Sequence, residues 1–390
     1  MLREFFAIGF RPFFLLAAMN AWASMLPWLY VLAGGTVPTQ GWPPQFLHAH
    51  EMIYGTVVPV IAGFLLTAVP NWTSTTRVGG ARLIGLVSLY LAGRVALVLA
   101  GPLEASWVAL IDVAFLPVLA VFVGTPIIRK RNWRNLGVVA ALLGLAAANL
   151  AIHRGLALGD GVLMRAGTWG AVYLIVGLML IISGRITPLF TRNALRAMGE
   201  KADIVSRRPI GAVALTLAAM AMLADWTFPR SELAAGLGLA AFPMLLARQS
   251  GWGLLRTLKT PMLWILHLGH VWLAVGFAFL GLSNAFGIGI GAAALHAFTA
   301  GAMGTLILGM MPRVSLGHSG RPIEANRITV VLFVCVILGA LIRTLGAAGP
   351  VAGYSPSILL GGGLWTTAWF LFTLAYWRVL VPRPSVRESS

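Results

Sequence analysis

Imidazoles, not charges, carry the chemistry that this sequence can do, since it holds seven histidines against 11 acidic residues in 390. The stretch LHAHEMIYG at 47–55 places His48, His50 and Glu51 within one helical turn, and NLAIHRG at 149–155 supplies His153 and Arg154. His267 and His270 stand three apart, His296 precedes Gly301 and Gly304, and His318 follows further on. Neutral imidazole ligates haem iron and copper, and its ordinary proton affinity near neutral pH suits proton transfer.

Spacing limits what each can do. On a helix His48 and His50 point about 200° apart. They therefore do not share one ion: either His48 belongs to a turn before the helix, or the two serve different centres. His267 and His270 share a helical face, and His318 lies in the following loop, where it approaches them. Any single one of these histidines also has a plainer reading as a hydrogen-bonded packing residue, and His48 and His270 suit it best.

The elements that must position these residues are membrane spans. Apolar residues make up 59% of the chain and charged ones 10%, whereas soluble domains carry roughly 25% charged residues. A crossing needs about 20 apolar residues, and lipid offers the backbone no partners, so crossings are helices or closed barrels. Continuous rather than alternating apolar runs select helices. The expected fold is an all-α, polytopic transmembrane bundle of about twelve spans near 10–33, 46–69, 82–101, 104–127, 135–157, 166–189, 209–226, 231–247, 261–282, 287–311, 327–348 and 356–380. The eighth is short, so ten or eleven crossings is the competing count. The chain reads as one domain, with possible six-helix halves 1–190 and 209–390 divided by the polar connection near 191–208.

The formal charge of +17 does not indicate nucleic acid, because the basic residues cluster at the termini and in alternate loops, as in Arg129, Lys130, Arg131 and Arg134. By the positive-inside rule those loops and both termini are cytoplasmic, which requires an even span count. The first apolar run is too long for a signal peptide and is expected to be retained. Trp28, Trp42, Trp72, Trp107, Trp133, Trp169 and Trp226 fall near span ends, as an interfacial belt does. Cys335 is the single cysteine, so any haem is held non-covalently.

Counting along the spans puts His48, His50, His153 and His296 in the outer half of the bilayer, and from depth alone His50, His153 and His296 are expected to ligate a haem or metal. Glu51 beside them either delivers protons or accepts the second N–H of a histidine. Arg154 and Arg343, at outer span ends, either pair with haem propionates or snorkel to the interface. Arg94 and Asp112, each about 10 Å below the outer surface, read as a structural ion pair, or else Arg94 serves a cofactor carboxylate. Gly301 and Gly304 leave room for close helix packing or for a flat cofactor.

Seven stretches extend this: IGFRPFFLLAA at 8–18, LHAHEMIYG at 47–55, AGFLLTAVPNWT at 62–73, NLAIHRG at 149–155, SGRITPLFTRNAL at 183–195, LWILHLGHVWLAVGFAFLGLS at 263–283 and LHAFTAGAMGTLILGMMPRVSLGHSGRP at 295–322. In these the sequence resembles the NnrS family of haem- and copper-containing membrane proteins linked to bacterial nitric oxide metabolism. The resemblance implies a multi-pass protein of the bacterial inner (cytoplasmic) membrane, with haem b and copper as cofactors. It places functional weight on His48, His50, Glu51, His153, Arg185, His267, His296 and His318. The expected function is removal or reduction of nitric oxide, with Glu51 and His48 in the chemistry, with quinol from the bilayer as electron donor and with a possible homo-oligomer. The competing expectation is a transporter or sensor of copper, protons or a small molecule. A haem-copper oxidase is disfavoured, because no adjacent His-His pair or suitably placed His-x-His occurs.

Overall fold

The computed structural model describes residues 2–101, 103–287, 290–348 and 356–382. Among these there is no strand. Twelve long helices make up the bundle: α1 Phe10–Leu32, α2 Pro44–Thr73, α3 Ala81–Val98, α4 Ala105–Arg129, α5 Leu136–Leu158, α6 Gly161–Ala197, α7 Arg208–Thr227, α8 Glu232–Gln249, α9 Pro261–Phe286, α10 Gly291–Gly317, α11 Arg327–Ala348 and α12 Pro356–Leu380. Eleven are long and apolar enough to cross a membrane, which makes this a multi-pass membrane protein. The one that falls short is α8, the expected short span. It matches α3 at 18 residues but is bounded by Glu232, Arg248 and Gln249.

The packing of α8 is nonetheless that of a full member of the bundle, because its principal neighbours are α7 and α9. Gly238 sits so close to α9 that an added Cβ would lie 2.8 Å from the Gly281 nitrogen, and one on Gly281 would lie 2.7 Å from the Leu239 nitrogen. Without a hydrophobic force between helices in lipid, such small-residue contacts hold spans together. Gly281→Leu is expected to force the pair apart and to cost about 1–3 kcal/mol. The melting temperature of the purified variant in detergent checks this, and an unchanged value would mean that α8 is not clamped there.

The largest departure from the expected boundaries is α6, 37 residues against an expected 166–189. Asp160 caps its start by accepting from the backbone of Val162 and Leu163, and no Gly or Pro interrupts TRNALRA at its end until Gly199, where φ is +74°. Residues 191–197 of the expected polar connection are therefore helix.

Burial separates an inner set of helices from an outer one. The most apolar windows of α2, α10 and α9 are 78%, 72% and 67% buried, against 28% for α1 and α7. Both α2 and α10 carry a π-helical stretch, at Glu51–Val57 and Ala297–Met303, each starting directly after a histidine, His50 and His296. Such stretches widen the helix and turn its side chains out of register, and they are frequent at functional sites.

A short motif also recurs once every four helices: Pro70-Asn71-Trp72-Thr73 on α2, Pro188-Leu189-Phe190-Thr191 on α6 and Pro312-Arg313-Val314-Ser315 on α10. Thr73, Thr191 and Ser315 are all buried. Among the neighbour relations, α4 packs on α5, α8 on α9 and α12 on α1.

The tryptophan belt needs one correction. Trp72, Trp107, Trp133 and Trp226 are exposed, but Trp42 is 3% exposed. It packs against two histidines, as described next.

Candidate functional site

The structure divides the outer histidines between two places. At the first, His50 ends the opening α-helical part of α2, while Asn149 and His153, four apart on α5, share one face. Asp112 reaches them from α4. Its Oδ2 lies 3.0 Å from His50 Nε2 and 3.0 Å from His153 Nε2, and accepts from Asn149 Nδ2 at 2.8 Å. His50 Nε2 also lies 2.9 Å from Asn149 Oδ1. Gly93 permits this approach, since a Cβ there would fall 3.0 Å from Asp112 Oδ1. All four side chains are buried.

Asp112 Oδ1 and Glu51 Oε1 both pair with the Arg94 guanidinium, and Glu51 Oε1 lies 3.4 Å from His50 Nδ1. The expected Arg94–Asp112 ion pair is thus present, within a larger network. Trp42 closes the site, its ring centroid 5.1 Å from His50 and 5.3 Å from His153, and Tyr54 lies 4.8 Å from His50. Two carboxylates against one guanidinium leave one negative charge uncompensated inside the membrane, where each buried charge costs about 2.5–3.5 kcal/mol on insertion scales. A protonated imidazole or a bound cation restores the balance.

The donor set suits a cation. His50, Asp112 and His153 each present a ligand atom, and the three atoms lie within 4.8 Å of one another. Two imidazoles and a carboxylate are a set that first-row divalent ions accept. One oxygen that faces three donors is crowded for hydrogen bonds alone, because a carboxylate oxygen carries about two lone-pair sites. Glu51 at the far nitrogen of His50 is the carboxylate–histidine arrangement that orients metal-binding imidazoles.

At the second place, His48 of α2 and His296 of α10 line one cavity of about 270 Å³, walled by α1, α2, α6, α10, α11 and α12. The His48 ring stacks on Trp28 at 4.6 Å and 8°, and its Nδ1 is buried without a partner. His296 Nδ1 donates to the Ala292 carbonyl at 2.7 Å, which leaves Nε2 with its lone pair. Arg343 lines the same cavity, with Trp365, Trp369 and Met303 among the apolar walls. Gly304 also lines it, and a Cβ there would lie 2.6 Å from Trp365 Nε1. Gly301 would likewise meet Trp272 at 2.6 Å. Close packing explains Gly301.

His48 and His50 thus serve different surroundings. Likewise the expected trio of His50, His153 and His296 is not one cluster: His50 and His153 meet, with ring centroids 5.5 Å apart, while His296 joins His48 instead. Depth along a span places residues on a level but not around an axis, and the facing direction decides which ones converge.

The remaining candidates lie elsewhere. His267 is buried between Thr191, 3.0 Å from its Nε2, and Gln249, and His270 Nδ1 lies 3.1 Å from Ser183 Oγ. His318 does not join them. Its ring packs 6.0 Å from Phe10, and partial burial, with Arg77 adding to it, lowers its proton affinity below the ordinary histidine value. Arg154 and Arg185 are exposed. Neither lines the cavity that Arg343 enters. Asn149 was not singled out from the sequence, although its position four residues before His153 was the available signal.

A family model described as NnrS protein matches residues 4–383 of the chain. No curated protein matches it.

Proposed function

From the premise that the chain belongs to the NnrS family, which links it to nitric oxide metabolism, we propose that it is a haem-dependent inner-membrane protein that detoxifies or reduces nitric oxide. The observation that carries this is the cavity between α2 and α10. It brings two imidazoles from distant parts of the chain, together with Arg343, to one largely apolar space.

The residues fit a non-covalent haem b. His48 and His296 are the imidazoles available to iron, Arg343 is a cation for a propionate, and the tryptophans and methionines form the apolar walls. A haem held there by one of the two imidazoles would supply an iron with a position open to nitric oxide. The chain's own part is to fix the two rings: Ala292 holds the His296 tautomer and Trp28 holds the plane of His48. Beside it, His50, Asp112 and His153 are the candidate site for a copper ion or another first-row divalent ion. In that site Glu51, tied to Arg94 and facing His50, orients an imidazole rather than shuttling protons. His267 and His318 are not part of either centre. The basic loops and both termini face the cytoplasm under this reading, and quinol in the bilayer supplies electrons.

Anaerobically purified protein is expected to show haem absorbance, and proteoliposomes given reduced quinol are expected to consume nitric oxide. Absence of haem absorbance ends this reading. The transporter alternative predicts no nitric oxide consumption under the same conditions.

A further inference from the structure

A second pocket, about 100 Å³ in volume and half open to the surroundings, lies next to the histidine-lined one and shares Val57 and Ile307 with it. It extends between α1, α2, α5, α6 and α10. From Val57 to Phe64 along α2 it covers about 10 Å at 1.5 Å per residue. Phe14, Ile175, Met179, Leu306 and Met310 are typical of its lining, which contains no charged side chain and Ser183 as its one hydroxyl. That hydroxyl is engaged with His270 Nδ1 at 3.1 Å, so the exposed wall is wholly apolar.

A space of this character has nothing to offer water, which needs 2–4 polar partners, and its half-open side within a membrane span faces lipid, from which apolar guests such as xenon can enter. Ions and water are kept out by desolvation, and a small uncharged molecule is not. We propose that this chamber is a binding and entry site for a small neutral gas, nitric oxide in the function proposed above, and that Val57 and Ile307 form the partition through which the gas passes to the histidine-lined cavity. Both side chains are nearly buried, at 6% and 5% exposure. The partition is therefore crossed by side-chain rotation rather than through a standing opening. The entry role rests on the proposed haem site, but the chamber does not.

Two measurements separate these. Xenon-pressurised crystals of the unmodified protein are expected to show xenon among Phe14, Ile175 and Leu306, and ordered water there, or no xenon, overturns the chamber. In the second, Val57→Phe and, on the facing wall, Ile307→Phe thicken the partition. Each is expected to slow nitric oxide association by about tenfold per reduced haem retained, followed by stopped-flow absorbance and normalised to the haem content of each variant. An unchanged rate in both variants overturns the entry role. Xenon in the chamber of a protein that carries no haem would sink the function proposed above and leave the chamber standing.

Discussion

His296→Ala protein is expected to lose most of the haem absorbance that the unmodified chain carries. His296 lines the cavity with its Nδ1 committed to Ala292, so removal of the ring takes away a candidate iron ligand. His48→Ala is expected to change the same spectrum, because the cavity then loses its other imidazole. His267→Ala is the control: its ring is buried between Thr191 and Gln249, away from the cavity, and the haem band is expected to persist even where stability falls. Addition of free imidazole to the His296→Ala protein is expected to restore part of the band, since the vacated volume suits that ring. An unaltered spectrum in both His48→Ala and His296→Ala would remove the haem from this cavity.

Asp112→Ala is expected to give the largest loss of stability in the chain. It takes the carboxylate from His153 and one partner each from Arg94, His50 and Asn149 inside the membrane. Removal of one partner from a buried charge network costs about 3–5 kcal/mol. Asp112→Asn keeps the shape and loses the charge, so it is the variant that isolates metal binding. Its melting temperature should stay closer to that of the unmodified protein, while metal content, measured by elemental analysis, falls at least tenfold. Full metal occupancy in Asp112→Asn would show that His50 and His153 do not share an ion with this carboxylate, and an unperturbed melting curve for Asp112→Ala would show that the network is not structural.

How much of this was legible beforehand follows from what each residue reports. Apolar runs longer than twenty residues specify helices that cross a bilayer whatever their neighbours are, because the backbone must satisfy itself within each span. The bundle, its span positions within a few residues and the short eighth helix were therefore readable. The end of α6 was not, since TRNALRA is polar enough to read as a loop yet holds nothing that breaks a helix. The 200° between His48 and His50 was readable too, and the two rings do face different surroundings.

The sequence by itself thus determined the class of protein, the family and the pool of imidazoles, since these depend on composition, hydropathy and motif. Tertiary structure decided the partnerships. His50 meets His153 through Asp112, and His48 meets His296 across a cavity, because the rotation of each helix about its own axis is set by packing against its neighbours. Hydropathy fixes how deep a residue lies, and it carries no information about which way that residue faces.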